Sequence, residues 1–187
     1  RTYTNPIISD KSVPDPTVIR ANDGYFYLYA TQTSTYWMPI YRSKDLVNWE
    51  YQKTAFTQAT KPSLSGGGAF WAPEMTYING KYVLYFSWAK MNGADVSYTA
   101  VAVSDSPLGP FPNSKALITN EEFGSNVIDQ FYYEENGKKY MFFGSFKGIY
   151  VTELTDDGLS VKRDVDGMPV LKKQVCGNAF EGTNIYK

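Results

Sequence analysis

Three carboxylates recur at one position of a repeated segment. Asp15 opens "DPTVIRANDGYFYLYAT", Asp129 opens "DQFYYEENGKKYMFFGS" and Glu181 opens "EGTNIYK", while a further copy, "APEMTYINGKYVLYFSW", starts with Ala72. Each acid alone has an ordinary reading. Asp15, between Pro14 and Pro16, marks a turn or the start of a strand; Asp129 caps a turn; Glu181 is a solvated charge. Together they ask for more, because like charges gathered in one place cannot all ionise freely, and perturbed carboxylates mark functional sites. Glycoside hydrolysis is the chemistry that uses such a group. One carboxylic acid protonates the leaving oxygen, and a carboxylate activates a water or attacks directly. A third carboxyl can raise the acid's pKa and orient it. The chain contains no histidine. That removes a Ser-His-Asp triad, a Cys-His pair and a His-based zinc site from it, and leaves acid–base work to carboxylates, Lys, Tyr or Cys.

These acids converge only if the repeat folds in a particular way. Asp23-Gly24, Asn79-Gly80 and Asn136-Gly137 are tight-hairpin signals inside the first three copies. The strands that follow ("YFYLYAT", "KYVLYFSW", "KKYMFFGS") are rich in aromatic and β-branched residues. Each unit adds a third strand-like piece ("MPIYRS", "YTAVAVS", "GIYVTEL") and a turn ("KDLVNW", "DSPLGPF", "TDDGLS"). Units of three to four strands at a period of roughly 50–57 residues, with no amphipathic helix, indicate an all-β propeller. A β-sandwich with accidental internal similarity is the alternative. In a propeller the innermost strand of each blade lines the axis, so Asp15, Asp129 and Glu181 would meet at one mouth of the channel. Pro16 biases Asp15 toward an extended backbone there.

Propellers close with typically 4–8 blades. The chain holds about three units and the first strand of a fourth, and an open stack of three leaves unpaired edges. Residues 1–187 therefore read as the N-terminal part of a single, incomplete β-propeller catalytic domain. The remaining blades are expected in a longer polypeptide or in a second chain. A net charge of −1 argues against nucleic acid or an acidic membrane surface as partner. No apolar run of ~18 residues is present to span a membrane. The lone Cys176 has no partner for an internal disulfide.

The ordered pieces "NPII" (5–8), "DPTVIR" (15–20), "SKDLVNWE" (43–50), "WAPE" (71–74), "SDSPLGPF" (104–111), "NVIDQFYYEENGKKYMFFGS" (126–145) and "FEGTNIYK" (180–187) span nearly the whole chain. In this set the sequence resembles glycoside hydrolase family 43, the five-bladed β-propeller arabinanases, arabinofuranosidases and β-xylosidases. The resemblance implies that Asp15 is the general base that activates water, Asp129 the pKa modulator and orienter, and Glu181 the general acid. It implies inversion by single displacement, with base and acid carboxyls ~6.5–9.5 Å apart to admit a water. It further implies a secreted or periplasmic bacterial enzyme acting on oligo- or polysaccharide of the plant cell wall. Two departures stand out. The third unit commonly reads Asp-Pro and here reads Asp129-Gln130. Some members hold a calcium at the axis with the help of a histidine; this chain has none, so an axial calcium is left open with its ligand in the remaining blades, and no cofactor is expected from these residues.

Sugar rings dock on aromatic faces. Trp71, directly before the axial position of the second unit, is the first stacking candidate, and Trp37 in "STYWMPI" is the second; both also fit core packing. Trp49 and Trp88 fit core or rim equally. "FGSF" and "NVID" resemble the arabinanase branch, which makes Ser145 and Asn126 candidates for contacts to sugar hydroxyls and favours arabinofuranosyl over xylosyl substrates. Two rival readings remain. A retaining, fructoside-cleaving propeller glycosidase would bring its two carboxyls to about 5–5.5 Å. A non-catalytic carbohydrate-binding propeller would keep the aromatic rim without needing three axial acids.

Overall fold

The computed structural model describes residues 2–9, 11–66, 68–90, 97–124 and 126–186. Strands β1 (Thr17–Arg20), β2 (Phe26–Tyr29), β3 (Pro39–Ser43) and β4 (Glu50–Thr54) form the first antiparallel sheet, in chain order. Strands β5 (Ala69–Ile78), β6 (Lys81–Ala89), β7 (Ser97–Ser104) and β8 (Lys115–Thr119) form the second. Strands β9 (Phe131–Glu135), β10 (Lys138–Phe143), β11 (Ile149–Leu154) and β12 (Lys173–Cys176) form the third. Each sheet is a four-stranded meander, the unit from which a propeller blade is made. Among the described residues the one helix, α1 (Asn120–Phe123), is a single turn, capped by the Thr119 hydroxyl, and no helix is long and apolar enough to cross a membrane. Residues 177–186 take no ladder hydrogen bonds, so the segment from Glu181 follows the repeat in sequence without strand pairing.

The second sheet explains why the units stack. Side chains alternate across a strand, yet β6 is buried along nearly its whole length. Leu84, Phe86 and Trp88 face the first sheet, where they pack with Phe56, Phe70 and Phe111. Val83 and Tyr85 face the third sheet and meet Met141, Phe143 and Leu154. The rings of Phe56 and Phe70 stack at 4.6 Å, and Phe70 meets Trp88 edge-on at 4.9 Å. Each such side chain contributes on the order of 1.5–3 kcal/mol by leaving water. The outer face of the first sheet (Leu28, Ala30, Tyr41) is covered by Ile8 and Val13 of the N-terminal segment and by Trp49. This stacking sets β1 beside β5 and β5 beside β9.

Two of the three expected hairpin turns are two-residue turns. Asn79-Gly80 and Asn136-Gly137 have positive φ at both positions (50° and 82°, 53° and 74°) and join strands paired up to the turn. Asp23-Gly24 differs. The β1–β2 ladder ends at Arg20 and Phe26, leaving a five-residue loop. The Asp23 carboxylate accepts the Tyr25 N–H at 3.0 Å and the Tyr27 hydroxyl at 2.7 Å, so the side chain builds the loop.

Gly144, just after β10, has φ of 134°, and its N–H donates to the Ile128 carbonyl at 2.9 Å. A Cβ there would stand 2.1 Å from the Gly148 carbonyl oxygen, a backbone atom with no rotamer to yield. Gly144→Ala should lower the unfolding free energy of the full polypeptide by at least about 2 kcal/mol. Gly80→Ala, whose Cβ meets nothing within 4 Å, should cost only the left-handed φ, about 1–2 kcal/mol. Urea unfolding of the two variants checks the order; equal losses would show that the Gly144 contact is absorbed by backbone movement.

Candidate active site

The first position of the repeat has one backbone geometry in all three units. Asp15, Ala72 and Asp129 have φ of 50°, 41° and 56°. The extended backbone expected for Asp15 from Pro16 is therefore not what forms. The chain kinks at this position as it turns into the axial strand, and Asp tolerates the left-handed region better than most residues. Tertiary bonds hold the kink: Thr31 N–H donates to the Pro14 carbonyl at 3.0 Å, and Thr31 Oγ1 donates to Asp15 Oδ2 at 2.6 Å. At Ala72 the kink lies inside β5 as a bulge, since Trp71 pairs with Ser87 while the next registered pair is Glu74 with Tyr85. Ala72 has no polar side chain of its own, so its peptide groups make the bonds. Its N–H donates to Thr31 Oγ1 at 2.7 Å, and its carbonyl accepts from Gln130 Nε2.

Asp15, Asp129 and Glu181 line one cavity of about 600 Å³, with Trp71, Glu74 and Gln130 also on its wall. Asp129 is partly buried, whereas Asp15 and Glu181 are exposed. Its amide donates to Ser87 Oγ at 3.1 Å, and its carboxylate accepts the Gly182 N–H. Burial pushes the Asp129 carboxyl up to about 6, with further upward pressure from the charge of Glu181 and then that of Asp15; the Gly182 N–H opposes this. Asp129 thus feels both other acids. Ser145 Oγ donates to Glu181 Oε2 at 2.8 Å, and the Phe146 N–H donates to the Phe180 carbonyl at 3.0 Å, which fixes the segment carrying Glu181.

The remaining candidates lie off the cavity wall. Ser145 is buried, and its hydroxyl proton goes to Glu181. Asn126 is partly buried and its Nδ2 donates to the Ser145 carbonyl at 3.4 Å. Trp37 packs against the core, 6.1 Å from the Phe70 ring and under the Lys61 ammonium at 5.4 Å. Trp88 is core, and Trp49 donates to the Leu46 carbonyl. Gln130, the departure from Asp-Pro, is a clasp: it is buried, donates to the Ala72 carbonyl and accepts from Ser87 Oγ at 3.0 Å. A proline there could make neither bond. Among the described residues no three His, Cys, Asp or Glu side chains are grouped to hold a metal ion.

Glu74 is the residue that sequence reasoning passed over inside "WAPE". It accepts from Thr17 Oγ1 at 3.0 Å and from the Tyr132 N–H, so it joins β1, β5 and β9. Burial pushes its carboxyl up to about 7 against the opposing effect of those two bonds. A carboxyl whose pKa is higher in the fold than in the unfolded chain stabilises the fold fully only below its unfolded pKa. That contribution is lost as pH rises through the folded value. For Glu74 the window runs from about 4.5 to about 7, and for Asp129 from about 3.8 to about 6. Wild-type stability should fall across this range, and Glu74→Gln should remove on the order of 3 kcal/mol of that fall. Unfolding free energies at pH 5 and pH 8 check it; parallel slopes for the two proteins would overturn the assignment.

A match to Glycosyl hydrolases family 43 covers residues 3–187. The extracellular endo-α-(1→5)-L-arabinanase 1 of Bacillus subtilis (strain 168) is 30% identical over 156 residues, which are 78% of this chain and 47% of that protein. The xylan 1,3-β-xylosidase of a Vibrio species is 31% identical over 150 residues, 75% of this chain and 26% of that protein. In three dimensions the chain is similar to the crystal structure of the endo-arabinase from Bacteroides thetaiotaomicron VPI-5482. The TM-score is 0.69 and the identity 26%, over 92% of this chain and 60% of that one. The chain thus spans about half the length of the first relative and about a quarter of the second. The three meander sheets are blades of the five-bladed propeller of these enzymes. The family match takes in the axial positions at 15, 72, 129 and 181 alike, and the chain belongs to glycosyl hydrolases family 43.

Proposed function

We propose that this chain carries the catalytic carboxyls of an inverting glycosidase that cleaves arabinofuranosyl linkages of plant cell-wall polysaccharide, with xylosyl linkages as the second substrate class. The observation that carries the reading is the convergence of Asp15, Asp129 and Glu181 on one cavity, with Asp129 electrostatically coupled to both others. Asp15 takes a proton from a water whose oxygen attacks the anomeric carbon. Glu181 gives its proton to the glycosidic oxygen as the carbon–oxygen bond breaks. The products are a sugar of inverted configuration and the leaving alcohol. Exchange with solvent then returns the proton from Asp15 and reloads Glu181. Burial and then the charges of Glu181 and Asp15 keep Asp129 protonated to higher pH than an isolated carboxyl, which suits a group set between the base and the acid. Trp71, half-buried on the wall, offers an aromatic edge or face for a sugar ring.

The arabinose preference is supported by the arabinanase-like "FGSF" and "NVID" and by the arabinanase relatives, against which stands a xylosidase of equal identity. A polymeric substrate outside the cell calls for a secreted or periplasmic enzyme, and the Bacillus relative is named extracellular.

Two variants of the full polypeptide separate the roles. Asp15→Ala should lower kcat by about 10²–10⁴-fold on every substrate, because the water always needs its base. Glu181→Ala should lose a similar factor on arabinan and far less on an aryl arabinofuranoside whose leaving group needs no proton. Proton NMR of the first product should show inversion. Retention would favour the fructoside-type mechanism. Sugar binding without hydrolysis, unchanged in both variants, would leave a binding propeller and end the enzyme reading.

A further inference from the structure

One hydroxyl recurs at the end of the second strand in each blade. Thr31, Ser87 and Ser145 follow the axial residues Asp15, Ala72 and Asp129 by sixteen, fifteen and sixteen positions. The hydroxyls of the first two blades accept the amide proton of the next blade's axial residue: Thr31 Oγ1 from Ala72 at 2.7 Å and Ser87 Oγ from Asp129 at 3.1 Å. A hydroxyl has a single proton to give, and in all three blades it goes toward the axis. Thr31 donates to Asp15 Oδ2 at 2.6 Å, Ser87 to Gln130 Oε1 at 3.0 Å and Ser145 to Glu181 Oε2 at 2.8 Å.

On the reading that Asp15 is the base and Glu181 the acid, we propose that Thr31 and Ser145 are positioning residues, each occupying one oxygen of a catalytic carboxyl so that the other oxygen faces the reaction. The Thr31 proton is committed to Oδ2 and its oxygen accepts the Ala72 N–H, so the hydroxyl is held in one orientation. Oδ1 is then the oxygen left to accept a proton from water. Among the described residues Thr31 is the side chain bonded to the Asp15 carboxylate, and this contact fixes the orientation of Oδ2. At Glu181 the hydroxyl of Ser145 holds Oε2, and Oε1 is left to carry the proton for the glycosidic oxygen. The bond comes from the neighbouring blade in this case, so the acid is aligned by the packing of one blade on the next. Misplacing a reacting group by about 1 Å costs as much as 10²-fold in rate.

The test uses the full polypeptide and two substrates, arabinan and an aryl arabinofuranoside with a good leaving group, with Asp15→Ala and Glu181→Ala as references. Thr31→Val should lower kcat about ten- to a hundred-fold on both substrates with KM held within about threefold. Thr31→Ser, which restores the hydroxyl, should return kcat to within about threefold of wild type. Ser145→Ala should lower kcat on arabinan alone, because only there is the acid needed. A purely structural loss would strike both substrates alike and would not follow the leaving group. Wild-type kcat in Thr31→Val or an equal loss on both substrates in Ser145→Ala, with both reference variants losing activity on arabinan as expected, would overturn the positioning role and leave the catalytic assignment standing. Reference variants active on arabinan would instead overturn the assignment itself. If Thr31→Val melts below the assay temperature, the Ser145→Ala split decides.

Discussion

The structure depends on one strand that is apolar on both sides. β6 alternates Leu84, Phe86 and Trp88 with Val83 and Tyr85, and neither set can face water without cost. A sheet built on such a strand must be covered twice. The first and third sheets supply the covers, and the meander connection of each leaves its first strand on the same side. The axial strands β1, β5 and β9 are thereby brought together, and with them residues more than a hundred positions apart in the chain. The gathering of acids follows from a packing requirement far from the acids themselves.

Apolar contact is not directional. It brings the sheets face to face but does not say how far one slides over the next. The polar contacts at the axial end do. Ala72 is informative here, because its side chain can do nothing. Its N–H is bonded to Thr31 of the first blade and its carbonyl to Gln130 of the third. Gln130 in turn accepts from Ser87, which accepts the amide of Asp129. The one blade without an axial acid therefore holds its two acidic neighbours in register through its backbone. A carboxylate in place of Ala72 would add a further acid to Asp15, Asp129 and Glu181, against the pressure already visible on Asp129.

Much of this was legible in the sequence. The alternation of apolar residues, the Asn-Gly turns and the repeat spacing defined the strands, and the repeat alignment placed three acids around one cavity. What was not legible came from contacts between units. A proline after Asp15 signals extended backbone locally, yet the kink shared with Ala72 and Asp129 is imposed by bonds from Thr31. Asp23-Gly24 looks like the other two turns, but two tyrosine groups draw the Asp23 carboxylate into a longer loop. Ser145 was singled out for a sugar hydroxyl, while its own hydroxyl donates to Glu181. Thr31 and Glu74 carried a signal, the first as a recurring hydroxyl and the second as an acid beside the axial position. Their partners, however, sit 16 to 58 residues away, most of them on a neighbouring blade.

Two carboxyls in this cavity are held above their ordinary values, and they differ in kind. Glu74 is raised by burial, with hydrogen bonds from Thr17 and Tyr132 pulling the other way. Asp129 is raised by burial and also by the charges of Glu181 and Asp15. The first is a solvation cost, incurred where three axial strands share one acceptor; the same bonds that join the strands partly offset it. The second contains a mutual term, and a mutual term changes whenever a neighbour gains or loses its proton. Only a group of the second kind can sense the protonation of an acid and a base as a reaction proceeds. On the proposed mechanism acid–base chemistry belongs to the set of Asp15, Asp129 and Glu181, while Glu74, on the same wall, joins the strands that hold that set in place.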